Sequence, residues 1–151
     1  MALIGKLSGC VEISADGHIF HELIRRKTPE LTSILPDKIH ACDLVEGQRG
    51  NVGSTVCWNF TLEGEKKISK MIIEAVDEEK HMIVFKVVDG FPLETYKSLT
   101  ISFHVEPKGD RKFATWTFEF EKLNASVPYP TAWLDFNITG IKELDVHFSK
   151  K

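Results

Sequence analysis

From Leu7 to Ile13 the chain alternates, with Leu7, Gly9, Val11 and Ile13 set against Ser8, Cys10 and Glu12, the two-residue period of a strand buried on one face. Ser14-Ala15-Asp16 then offers a helix cap ahead of Ile19, Phe20, Leu23 and Ile24 at helical spacing, and Arg25-Arg26-Lys27 suits a helix C-terminus. A second helix starts at Thr28-Pro29, with Thr28 as its cap and Pro29 at its first position, and Pro36 stops it within two turns. Strand-like segments dominate thereafter: Ile39 to Val45, Thr55 to Leu62, Lys67 to Val76, Met82 to Val88, Leu99 to Val105 and Phe113 to Phe120. Glu63-Gly64-Glu65, Asp77 to Lys80, Asp89-Gly90-Phe91-Pro92 and Pro107-Lys108-Gly109-Asp110 supply hairpin turns, so these segments read as an antiparallel meander. The last segment is the plainest: Ala114, Trp116, Phe118 and Phe120 face one way and Thr115, Thr117 and Glu119 the other.

Pro128 and Pro130 interrupt the strand pattern, and from Thr131 to about Phe148 the period becomes helical. Trp133, Leu134, Asn137, Ile141, Leu144 and Phe148 fall within about 100° of one another on a helical wheel, a single stripe suited to covering the dry sheet face. Phe136 lies outside it. The expected fold is therefore α+β: a curved seven-stranded antiparallel sheet wrapped around a long C-terminal helix, with two short helices after the first strand. Without repeats or linkers, residues 1–151 read as a single domain.

Nineteen basic against 22 acidic side chains leave a net charge of −3, which gives no grip on nucleic acid or an anionic membrane. No apolar run reaches transmembrane length. Cys10, Cys42 and Cys57 are odd in number and far apart, against both a disulfide framework and a zinc cluster. The N-terminus lacks the pattern of a secretory signal, so the expected location is cytoplasmic. The Asn-x-Ser/Thr sequons at Asn59, Asn124 and Asn137 carry no weight in that setting.

The loop from Glu46 to Gly53 is rich in glycine, but it has no G-x-G, no following Gly-Lys-Ser/Thr, and leads into a strand rather than a helix. Nucleotide binding is not expected. His18, His21 and Glu22 match neither zinc-protease helix motif, so a solvated helix face is expected and no metal. No nucleophile motif is present, and no cofactor is implied. The inward aromatics suit either packed core or pocket. Asn137 stands within an apolar stripe, and its amide must meet a ligand, water, a neighbouring strand or helix backbone. Lys70, between Ile68 and Ile72, is a second polar candidate for the interior.

Pro36-Asp37-Lys38-Ile39, Cys42 to Gly47, Gly50 to Ser54, Trp58-Asn59, Ile73 to Glu79, Tyr96-Lys97-Ser98 and Phe120 to Leu123 closely resemble the plant major latex proteins. These form a branch of the birch-pollen-allergen and pathogenesis-related class 10 superfamily. The resemblance implies the helix-grip fold of START domains, a large apolar cavity and a role in carrying or storing a hydrophobic small molecule: a plant hormone, sterol, fatty acid or other secondary metabolite. It also implies a link to defence or stress. Some relatives are enzymes of alkaloid biosynthesis, the alternative reading; receptors with gate and latch loops are a third class, whose motifs are not evident here. The glycine loop departs from the G-x-G-G-x-G form, which weakens any ribonuclease reading. The expected lining is Trp58, Phe60, Ile83, Phe85, Ile101, Phe103, Trp116, Phe118, Leu134, Asn137, Ile138 and Ile141, with Lys70 as a polar candidate and Leu23, Leu31 and Ile39 near the entrance. No catalytic residue is assigned. The expected partner is the ligand alone, without nucleic acid or integral membrane association, on a monomer or weak dimer.

Overall fold

The computed structural model describes residues 3–149. Its elements are β1 (Ile4–Ile13), α1 (Gly17–Arg25), α2 (Thr28–Ile34), β2 (Ile39–Glu46), β3 (Thr55–Leu62), β4 (Glu65–Asp77), β5 (Met82–Gly90), a 3-10 turn (Phe91–Glu94), β6 (Tyr96–Lys108), β7 (Arg111–Lys122) and α3 (Thr131–Ser149). The seven strands form one antiparallel sheet in the order β1-β7-β6-β5-β4-β3-β2. This is the helix-grip architecture expected from the alternation, with longer strands and a 3-10 turn where only a turn was expected.

Parity explains the dry face. Along β6 and β7, Ile101 pairs with Phe118, Phe103 with Trp116 and Val105 with Ala114, and all six are buried. A strand places alternate side chains on one face, so this register stacks both apolar rows beneath α3. The helix packs across β1, β7 and β3, burying Trp133, Leu134, Ile141 and Leu144.

The two short helices close one end. Asp16 caps α1 as expected, its side chain accepting from the His18 N–H at 2.9 Å. Thr28 does not cap α2: Lys27 holds the N-cap position without a side-chain bond, and Thr28 lies inside the helix. Its Oγ1 instead accepts from Arg49 Nη1 at 2.6 Å, which ties the glycine loop under α2. Within that loop Gly50 has φ +88°, and a Cβ there would lie 2.3 Å from Arg26 Cγ, while its carbonyl accepts from Arg25 Nε at 2.7 Å. The glycine serves a close backbone approach to α1.

His18 is exposed as expected, but His21 is buried at 1% exposure. The expectation of a solvated pair fails because α1 turns the His21 face onto the turn between β4 and β5, where the His81 ring lies 5.7 Å away. Among the described residues no group of three or more His, Cys, Asp or Glu is arranged to hold a metal ion, and no helix is long and apolar enough to cross a membrane.

Candidate functional site

Between the concave sheet face and α3 lies a cavity of about 90 Å³. Its sheet wall is built by inward residues of five strands: Ile39 of β2, Trp58 and Phe60 of β3, Met71 of β4, Phe85 of β5 and Ile101 of β6, with Trp116 of β7 completing it. Ile24 of α1 and Leu31 and the adjoining Leu35 of α2 close one end. The helix α3 contributes Trp133, Phe136, Asn137, Gly140, Ile141 and Leu144, and Lys38 stands at the corner between α2 and β2.

The resemblance implied a large cavity, and this one is narrow. It is smaller than the roughly 150 Å³ engineered cavity that admits benzene. Aromatic side chains occupy the missing space. Trp133 stacks on Phe60 at 5.8 Å between centroids and meets Phe91 at 5.1 Å and Phe118 at 5.3 Å. Phe136, which the helical stripe left unplaced, lies 5.5 Å from Phe60 and accepts the Lys38 ammonium over its ring at 5.2 Å.

Nine residues expected from the sequence come together here: Leu31, Ile39, Trp58, Phe60, Phe85, Ile101, Trp116, Asn137 and Ile141. Seven do not. Leu23, Ile83, Phe103, Phe118 and Leu134 are buried in packed core rather than in the cavity wall. Phe103 lies against Trp116 at 4.8 Å, and Phe118 supports Trp133 edge-on, so each stands behind a lining ring. Leu134 and Ile138 turn toward β1, where Gly9 leaves them room: a Cβ on Gly9 would lie 3.3 Å from Ile138 Cδ1 and 3.4 Å from Leu134 Cδ2.

Lys70 is the clearest correction, because it does not point inward. Ser69, Met71 and Ile73 form the buried row of β4, which puts Lys70 on the other face beside Ile68, itself 53% exposed. The ionisable group of the lining is Lys38 instead, which no strand period could place. Its Nζ lies 4.0 Å from Glu143, a half-exposed carboxylate on α3 outside the lining. Such a pair in solvent contributes little. Ile24, Trp133 and Leu144 were missed despite belonging to recognised helical stripes; Leu35, Met71, Phe136 and Gly140 carried no distinguishing signal.

Three buried polar atoms around the site are unpaired. Trp58 Nε1, Trp116 Nε1 and Ser69 Oγ are shut off from solvent without a hydrogen-bond partner. Ser69 pairs with Trp58 across β3 and β4, so two of the three sit together on one wall. Each buried unpaired donor costs on the order of 1–3 kcal/mol.

The chain is 40% identical to MLP-like protein 31 of Arabidopsis thaliana over 148 residues, 97% of this chain and 86% of that relative. MLP-like protein 34 of the same plant is 42% identical over 91% of this chain, which spans only 44% of that longer relative. The crystal structure of ginseng major latex-like protein 151 from Panax ginseng superposes with a TM-score of 0.94 at 41% identity, covering 97% of this chain and 99% of that one. Norcoclaurine synthase from Thalictrum flavum, in complex with dopamine and hydroxybenzaldehyde, shares the fold at 16% identity and a TM-score of 0.72, over 98% and 90% of the two chains. The pathogenesis-related protein Bet v 1 family model matches residues 2–151, and with these relatives it establishes that the chain belongs to that family, alongside the major latex-like proteins.

Proposed function

We propose that this protein binds a hydrophobic small molecule between its sheet and α3 and so stores or carries it, in a setting of defence or stress response suggested by the family. The observation that carries this reading is the cavity itself, whose wall is apolar apart from Lys38 and Asn137. Each apolar Å² of ligand withdrawn from water contributes roughly 25 cal/mol, and a few polar groups then set orientation. A hormone, sterol or fatty acid is larger than 90 Å³ of open space, so such a ligand enters only as the aromatic wall parts.

Binding is favoured over catalysis. General acid-base chemistry needs titratable groups within hydrogen-bond reach of substrate, and Lys38 is the one ionisable side chain among the described lining residues. The norcoclaurine synthase likeness extends to the fold alone.

Native mass spectrometry on gently purified protein tests the reading. A reproducible non-covalent small-molecule mass is expected, together with a change in tryptophan emission when that molecule is added back to stripped protein. Empty protein whose emission and melting temperature ignore a panel of apolar compounds refutes it.

A further inference from the structure

β1 and β2 are the two edges of the sheet, and they are built differently. The pairing of β2 is interrupted by register shifts between Ile39 and Ala41 and between Leu44 and Glu46, and its charged side chains, Asp43 and Glu46, are both acidic. Bulges and like charge both discourage the addition of a further strand. β1 has neither protection. It pairs with β7 without a break from Ile4 to Ile13, contains no proline, and carries one charge of each sign, Lys6 and Glu12.

The direction of its backbone groups follows from one bond. The Lys122 N–H donates to the Leu3 carbonyl at 2.8 Å, so the odd residues of β1 turn their amides and carbonyls to β7 and the even residues turn theirs outward. Ser14, the even residue that continues the row, agrees: its N–H leaves the sheet to bond Asp145 at 3.0 Å. Lys6, Ser8, Cys10 and Glu12 therefore present their backbone groups at the free edge, and their exposed side chains share the convex face. The helix α3 sits on the other face, with Leu134 and Ile138 over Gly9.

We propose that a second copy of this chain adds to this edge, β1 against β1 antiparallel, about a two-fold axis at Gly9. An antiparallel ladder sets outward residues opposite outward residues, so the allowed registers differ by steps of two. Centring on Gly9 places Lys6 opposite Glu12 of the second copy, Ser8 opposite Cys10, and the half-buried Leu7 opposite Val11. The two-fold repeats each pair, so both lysines meet a glutamate. One step either way places Lys6 against Cys10 or Ser14 and Glu12 against Ile4 or Ser8, and both charge pairs are lost. Arg111 Nε lies 3.7 Å from Glu12 Oε2 in an exposed pair, which leaves Oε1 for the incoming lysine. The ladder ends at Glu12, because the Ser14 N–H is already held by Asp145. The seven strands of each copy then join in one continuous sheet.

Sedimentation velocity of the full chain under reducing conditions, from about 1 µM to about 1 mM, tests this interface. A concentration-dependent equilibrium between monomer and dimer is expected. Lys6→Glu and Glu12→Lys, both at exposed positions, are each expected to weaken self-association about tenfold, since the two-fold makes two attractive pairs repulsive. The double variant Lys6→Glu/Glu12→Lys is expected to return it to within about threefold, and a one-to-one mixture of the single variants to form the mixed dimer. Cys10→Pro removes an outward N–H, leaves the bonds to β7 in place, and is expected to abolish the dimer. Circular dichroism confirms that each variant is folded. A native chain that stays monomeric across the range overturns the proposal. So does a dimer that withstands Cys10→Pro, one indifferent to the single charge reversals, or one that the double exchange does not restore.

Discussion

The rings of Phe60 and Trp133 lie 5.8 Å apart with only 13° between their planes, so one residue of β3 and one of α3 meet face to face across the cavity. Trp133 also carries Phe91 and Phe118 against its other sides. Trp133→Ala is therefore expected to lose about 3–5 kcal/mol of folding stability, measured by urea denaturation. The same deletion opens space, so apolar ligands too large for the native cavity should raise the melting temperature of the variant more than that of the native protein. Equal thermal shifts in both would mean that Trp133 does not limit the cavity.

Much of the fold was legible because strand parity is a local property. Ala114, Trp116, Phe118 and Phe120 announce β7 and its inward face, and every one is buried. The site was half legible, since parity says which residues face in but not which of them border empty space. Phe103 and Trp116 share a face, yet only Trp116 borders the cavity, because the Phe103 ring packs against it. The α3 stripe likewise divides between β1, which takes Leu134 and Ile138, and the cavity, which takes Trp133, Asn137 and Ile141. Lys70 misled because both rows of β4 carry apolar residues: Ile68 and Ile72 mark one, Met71 and Ile73 the other, and Ser69 sits in the buried row. Lys38 was beyond reach, since its place depends on how the corner after α2 docks against Phe136.

Asp145 fastens the far end of α3 to the chain leaving β1. Its carboxylate accepts from the Ala15 N–H at 2.8 Å and from the Ser14 N–H at 3.0 Å. Charge-assisted bonds to backbone are stronger than neutral ones, and removing the acceptor leaves two amides without a protein partner. Asp145→Ala is expected to cost about 1–3 kcal/mol in urea denaturation, with Asp145→Asn recovering part through its remaining oxygen. An unchanged midpoint in the alanine variant would show that water replaces the carboxylate at no cost.

The three free thiols differ in environment, and their reactivities should separate accordingly. Cys10 is exposed on β1, Cys57 is intermediate, and Cys42 is buried. Burial pushes the Cys42 thiol up to about 11, against the opposing influence of Thr28 and Arg49. The thiolate is the reacting species, so Cys42 is protected twice, by access and by protonation. With a disulfide reagent at pH 8, a fast phase that Cys10→Ser removes is expected, and Cys42 should react only when the protein is unfolded. Fast labelling of Cys42 in native protein, located by peptide mapping, would contradict this environment.

His21 should make stability depend on pH. Its pKa is lowered chiefly by burial, with the charges of Arg25 and His81 adding to the effect, while the His81 backbone and Glu22 act the other way. Neither ring nitrogen has a hydrogen-bond partner, and the facing turn adds Glu78, held by Arg25 at 2.7 Å. Above an ordinary histidine pKa of about 6.5 the ring is neutral in both folded and unfolded chains, and stability is complete. As pH falls below that value the unfolded chain takes up a proton that the folded ring resists, so stability declines until the lowered folded pKa is passed. One such group changes stability by at most about 1.4 kcal/mol per pH unit. Because α1 also carries Ile24 into the cavity wall, the loss should reach the site. Urea denaturation from pH 7.5 to pH 5 should show a decline in the native protein that His21→Leu reduces, the carboxylate contributions being common to both. Parallel pH profiles for the two proteins would remove His21 as the source.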